Sequence, residues 1–174
     1  MSIDPDQFAQ IVGPALHERS GKVFYSGRSA FSSPSRLYIL GLNPGGSAAT
    51  HAGDTIGRNL TAWSERSAQW SEYCDERWEG AEPGTYGMAP RVLHLFRRLG
   101  LDPRDVPASN VMFVRSNNEA ALTKEKANLL ASCWPVHRAI IDTLGISTIA
   151  CFGGTAGRWV RSLLAANDPA GRFV

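Results

Sequence analysis

Leu37-Tyr38-Ile39-Leu40 is an unbroken apolar run that passes directly into Gly41-Leu42-Asn43-Pro44-Gly45-Gly46. A short apolar run bounded by turn residues suits a strand buried on both faces, as in a parallel sheet covered by helices. The strand is read as residues 36–42. Two further runs follow the same plan: NVMFVRS at residues 110–116 and STIACFGG at residues 147–154. Each ends in glycine or polar residues.

Helical patterns lie between the runs. Residues 89–99 carry Val92, Leu93, Leu95, Phe96 and Leu99 at near-helical spacing, and Gly100 is a natural stop. Residues 124–144 place Ala127, Leu130, Trp134, His137, Ile141 and Leu144 three or four apart. Pro135 predicts a kink or two shorter helices there. Residues 155–166 put Ala156, Trp159, Val160 and Leu163 on one face. Strands alternating with helices predict an α/β fold, a mostly parallel sheet with helices on both sides. Residues 47–88 are irregular, with Leu60, Trp63 and Trp70 suited to an extra helix packed on the core.

The bulk properties exclude several classes. The 174 residues suit one domain, taken as 1–174, and can bury a core without disulfides or metals. Net charge is +2, so the chain is no polycation, although its basic residues are fifteen Arg and only three Lys. Arg favours planar, bidentate contacts with phosphate and carboxylate. Cys74, Cys133 and Cys151 form no C-x-x-C pair, so a zinc site, an iron–sulfur cluster or a disulfide framework is not expected. The opening MSIDPDQFAQ is no signal peptide, and no apolar run has membrane length. A cytoplasmic protein without membrane contact and without cofactor is the expectation.

Ligands of open parallel sheets bind beyond the carboxyl ends of the strands. That edge should collect Asn43, Arg115, Asn117, Asn118, Thr155 and Arg158. Gly153-Gly154-Thr155 opens a helix and offers backbone N–H groups to an anion, but it is neither a Walker loop nor a dinucleotide fingerprint. Arg115 is read as a structural or phosphate-positioning group. Asn43 has no proton to trade, so it cannot act as a carboxylate or histidine base does. Its amide can orient water and hold a polar edge. That chemistry suits a reaction in which the leaving group departs largely unaided and water captures the cation. Hydrolysis of an N-glycosidic bond is one, with an oxocarbenium-like transition state and a departing base stabilised by preorganised donors.

Gly-Leu-Asn-Pro-Gly-Gly after a buried strand resembles motif A of the uracil-DNA glycosylase superfamily, in the Gly-x-Asn-Pro-Gly form of its mismatch-specific and single-strand-selective branches. SNVMFVRSNN is similar to the segment where an asparagine reads the uracil edge. Cys133-Trp134-Pro135 and the later Ile149 to Ala156 resemble the family's following helix, strand and Gly-x-x-Ala junction. The resemblance covers residues 36–164. It implies a three-layer α/β/α fold around a mostly parallel four-stranded sheet. It also implies a monomeric hydrolase that removes uracil or a related deaminated base from DNA in base excision repair.

Carried over by position, Asn43 resembles the residue that places the hydrolytic water, and Gly41, Leu42, Pro44 and Gly45 would shape the base pocket. Asn110 resembles the uracil-reading asparagine, with Asn117 and Asn118 as alternatives. Tyr86 is the candidate for the aromatic that stacks on the flipped base, with Trp63 behind it. Arg115, Asn117, Gly154, Thr155 and Arg158 would meet nucleic acid. The family's second signature, a His-Pro-Ser-like loop after a fourth strand, has no counterpart before Val174. No histidine follows His137, which leaves truncation at the C-terminus open. Two other functions fit the residues. One is a weak or inactive member of the fold that binds nucleic acid or a nucleotide. The other is an enzyme on a free nucleoside or nucleotide, which the lack of a carboxylate in the three turns disfavours.

Overall fold

The computed structural model describes residues 2–165. Its centre is a parallel sheet of three strands, β1 (Leu37–Gly41), β2 (Ala108–Asn110) and β3 (Thr148–Cys151), in the order β2-β1-β3. β1 is the middle strand, as its apolar run requires: Tyr38, Ile39 and Leu40 are wholly buried. Its partners are in register at Gly41 with Asn110 and at Leu40 with Cys151. Parallel neighbours need long crossovers. From β1 to β2 the chain runs through α2 (Ile56–Glu65), α3 (Glu72–Asp75) and α4 (Ala89–Leu99). From β2 to β3 it runs through α5 (Glu119–Lys124) and α6 (Lys126–Leu144). A short α1 (Asp6–Gln10) precedes the sheet, and α7 (Gly154–Leu164) follows it.

Period-two alternation divides the strands between two apolar clusters. Tyr38 and Leu40 pack with Leu129, Cys133, Val136 and Ile140 of α6, with Trp159 and Val160 of α7, and with Phe8 of α1. Ile39 and Ala108 pack instead with Val92 and Phe96 of α4 and with Tyr73. Helices therefore cover both faces. α4 has the bounds read from the sequence, with Gly100 closing it at φ 66°, a left-handed cap that glycine adopts without strain.

The sheet differs from expectation in number and register. Among the described residues it has three strands, not four. β2 begins two residues before the expected start and ends at Asn110. The apolar run 111–116 continues beyond the sheet edge instead of adding to the ladder. Its amides go to the end of β1, to the turn after it and to the segment before it: Val111 N–H donates to Gly41 O, Met112 N–H to Leu42 O, Ser116 N–H to Pro44 O and Arg115 N–H to Ser20 O, with an isolated antiparallel bridge between Val114 and Gly21. The run is apolar because both its sides are covered, not because it lies within the sheet.

The long helix also differs. α6 runs unbroken through Pro135, and the interruption falls at Glu125, between α5 and α6. A proline removes one N–H bond. Here burial of Cys133, Val136 and His137 around it holds the helix together. The buried residues are Leu129, Cys133, Val136, His137, Ile140 and Leu144; His137 and Leu144 lie on the predicted stripe, whereas Leu130, Trp134 and Ile141 are half-buried and Ala127 is exposed. The extra helix exists as α2, capped by the Thr55 hydroxyl, but Trp70 lies beyond its end. Ala166, the expected last residue of α7, lies outside the described residues. No helix among the described residues is long and apolar enough to cross a membrane.

Candidate active site

At the carboxyl ends of β1 and β2, on the α4 side of the sheet, lies a cavity of about 490 Å³. Leu42, Asn43 and Gly45 enter it from the turn after β1, Asn110 from the end of β2, and Phe152 from beyond β3. Tyr86, Met88 and Val92 close it from α4 and its approach. Lys22, Tyr25 and Glu72 come from segments outside the sheet.

Asn43 is held by its amide nitrogen. Nδ2 donates to Pro44 O and to Ser116 O, both at 2.7 Å. Two carbonyl acceptors fix which end of the amide faces them, because an oxygen there would face two oxygens. Oδ1 is thus the free end, and no described residue donates to it. The side chain is a fixed acceptor on the cavity wall, suited to take a hydrogen bond from water and turn that water's lone pair inward.

Asn110 lies deeper, 5% exposed, and its Nδ2 has no hydrogen-bond partner among the described residues. A buried, unpaired donor is costly and calls for an explanation; a ligand acceptor supplies one. The neighbouring strand is shaped around it: a Cβ on Gly41 would collide with Asn110 Oδ1. Gly41 therefore belongs to the site by what it lacks. Because β2 ends at Asn110, this side chain reaches the carboxyl edge; the predicted strand would have placed it at the opposite end.

Arg115 is buried and engaged within the protein. Nη1 donates to Gly45 O at 2.6 Å, Nη2 pairs with Asp54, and Nε meets Ser20 Oγ at 3.3 Å. Its guanidinium lies 4.7 Å from the Trp78 ring, which also lines the cavity. The geometry makes Arg115 the clamp of the Asn43 turn, with no free fork for an external phosphate.

Sequence reasoning did not find the second polar cluster. Lys22 Nζ donates to Glu72 Oε2 at 2.6 Å, with both side chains 8% exposed. Burial pushes the Glu72 carboxyl up against the pull of the Lys22 ammonium. Burial, reinforced by the Glu72 charge, also drives the Tyr25 and Tyr86 hydroxyls well above the ordinary phenol range, so both remain protonated. Tyr86 Oη is buried without a hydrogen-bond partner among the described residues. The Asn110 amide lies near enough to the Tyr25 hydroxyl to oppose its shift, though not in hydrogen-bond geometry. No local pattern marks Lys22 or Glu72; one lies before β1 and the other in a four-residue helix.

The other predicted residues lie outside this cavity. Pro44 contributes its carbonyl to Asn43 and Ser116 but does not line the space. Asn117 is exposed, and Asn118 is the N-cap of α5, its Oδ1 accepting from Ala120 and Ala121 N–H. At the start of α7 the Thr155 hydroxyl donates to Glu119 Oε1 at 2.7 Å and accepts from Arg158 at 2.8 Å. That turn already meets a carboxylate of the protein itself, and Gly154, Thr155 and Arg158 stand apart from the pocket. Trp63 is core: 3% exposed, stacked on Phe24 at 4.3 Å, with Nε1 donating to Ser26 O. It is removed from the list of base-stacking candidates, whereas Tyr86, Trp78 and Phe152 line the space.

No group of three or more metal-binding side chains occurs among the described residues. The three cysteines are unpaired, and burial raises Cys133 and Cys151 to about 11, which keeps them as thiols. Comparison with protein-family models finds no match, and comparison with curated proteins finds none.

Proposed function

We propose that this chain hydrolyses the N-glycosidic bond of uracil or a related deaminated base in DNA, as a uracil-DNA glycosylase-like enzyme. The supporting observation is the pairing of Asn43, anchored with Oδ1 free, and Asn110, buried with Nδ2 unpaired, in one cavity at the carboxyl edge. A flipped base would enter this cavity and lie against Tyr86, Trp78 or Phe152. The Asn110 amide would pair with O4 and N3–H of uracil and mispair with the amino group of cytosine. As the bond lengthens, water held by Asn43 captures the sugar cation without a strong base. On this reading the three strands are the centre of a four-stranded α/β/α sheet. Exposed Asn117 and Arg158 are the groups at that edge able to meet phosphate.

The test is incubation with single- and double-stranded DNA carrying uracil, hypoxanthine or xanthine, followed by alkali to cut at abasic sites. Asn43→Ala should lower turnover by roughly two to three orders of magnitude, as loss of a preorganised polar group does. Absence of cleavage on every substrate refutes the proposal. Glu72 gives the free-nucleotide reading the pocket carboxylate that the strand turns lack. Deoxyuridine monophosphate is therefore the control ligand: thermal stabilisation by it, and not by DNA, favours that second reading.

A further inference from the structure

We propose that Lys22 is a catalytic residue, whose ammonium group contacts the departing base and stabilises it as an anion while Glu72 holds it in place. This inference rests on the glycosylase reading of the same pocket.

Heterolysis of the C1′–N bond leaves both bonding electrons on the base nitrogen. Water oxygen then bonds to C1′ and releases a proton to solvent, and the base anion takes one up. Charge therefore develops on the base before any proton arrives, and a preorganised donor placed there lowers the barrier. The cavity walls offer few candidates. Asn43 and Asn110 are neutral amides. Arg115 is committed to Gly45 O, Asp54 and Ser20. Among the described residues, Lys22 is the other cation lining the cavity. Its Nζ has three N–H groups, and among the described residues its one hydrogen-bond partner is Glu72 Oε2. The ring of Tyr25, 5.8 Å away, limits its movement from another side.

Stability gives no reason for the pair. Replacing a buried ion pair with apolar groups of similar volume is often neutral or stabilising, whereas removing one partner is strongly destabilising. A buried lysine held by a carboxylate on a cavity wall, with N–H groups to spare, is explained by what enters the cavity.

The experiment compares cleavage of uracil with cleavage of 5-fluorouracil, a more acidic base that leaves with less help, in the same single-stranded oligonucleotide. The proteins are the wild type, Lys22→Met, the double variant Lys22→Met/Glu72→Met, and Asn43→Ala, with melting curves for each. Lys22→Met and the double variant should lose roughly 10²–10³-fold on uracil and about tenfold or less on 5-fluorouracil, as expected for loss of one leaving-group donor. Asn43→Ala, which acts on the water, should lose the same factor on both. The double variant guards against misfolding caused by an unpaired Glu72. If neither Lys22 variant folds, the wild type decides: an active enzyme whose uracil-to-fluorouracil ratio equals that of uncatalysed hydrolysis gives the base no assistance, and the inference falls. Equal losses on both bases in a folded Lys22 variant, or no loss, also overturn it. Such results leave the glycosylase reading standing, whereas a wild type that cleaves neither base sinks both.

Discussion

Asn43→Asp exchanges an NH2 group for an oxygen, and the structure sets its cost. Nδ2 gives one hydrogen to Pro44 O and one to Ser116 O, each at 2.7 Å. A carboxylate loses both bonds, at about 1 kcal/mol each, and places negative charge against two carbonyl oxygens, which adds about 1–2 kcal/mol. The alternative is to protonate. Holding an aspartic acid neutral at pH 7, about three units above its ordinary pKa, costs about 4 kcal/mol and recovers one bond. With its one lost bond counted the neutral acid costs about 5 kcal/mol, so the carboxylate is the cheaper route and sets the expected loss at about 3–4 kcal/mol at pH 7. The carboxyl pKa is then raised in the folded state. The folded protein binds more protons over that range, so the deficit shrinks as pH falls, to about 1 kcal/mol near pH 4. Asn43→Ala should lose about 2 kcal/mol at both pH values. The aspartate variant is thus less stable than the alanine variant at pH 7 and more stable at pH 4. Urea unfolding of the three proteins at both pH values measures this, and effects common to all three cancel in the differences. An aspartate variant as stable as wild type at pH 7 would refute the anchored orientation of Asn43, and with it the free Oδ1.

Two further outcomes are expected. His137 is wholly buried, its Nδ1 accepting from the Tyr38 hydroxyl at 2.9 Å and its Nε2 donating to Val111 O at 3.2 Å, and burial lowers its pKa to about 4. Its folded pKa lies below the unfolded 6.5, so stability is full above pH 6.5 and falls by about 3 kcal/mol as pH drops to 4. Urea titrations should show that limb in the wild type and not in His137→Gln; parallel curves would contradict it. Gly41→Ala should cost about 1–3 kcal/mol by driving a Cβ into Asn110 Oδ1. Adding Asn110→Ala should restore melting temperature but not uracil cleavage, and a Gly41→Ala protein with wild-type melting and cleavage would contradict the close approach.

The parts of the fold that were legible are those decided by local pattern. The apolar run of β1 demanded a central strand, and the stripe and closing glycine of α4 fixed both its ends. Burial with only an isolated bridge to Gly21 misled the reading of residues 111–116, because an apolar run covered by loops looks the same as one covered by strands. Asn43 was legible as a polar residue stranded at the end of an apolar strand, whereas Asn110 and Tyr86 were reached only through the family resemblance; all three line the cavity. Lys22 and Glu72 were not legible. Each is an ordinary polar residue among its neighbours and acquires meaning only across the fifty positions that separate them. Trp63 was legible as a core residue of the extra helix, and its burial against Phe24 removes only its second role as a stacking candidate behind Tyr86.

The bond from Asn43 to Ser116 joins residues 73 positions apart, across the mouth of the site. Ser116 follows the buried run and is itself half-buried, just before the exposed Asn117 and Asn118. Segments with such exposed backbone open at lower free energy than the core. The acceptor geometry of Asn43 therefore depends on a contact made outside the sheet. Warming should loosen the anchored Asn43 amide before the protein melts, so that the site has a thermal threshold of its own, below that of the fold.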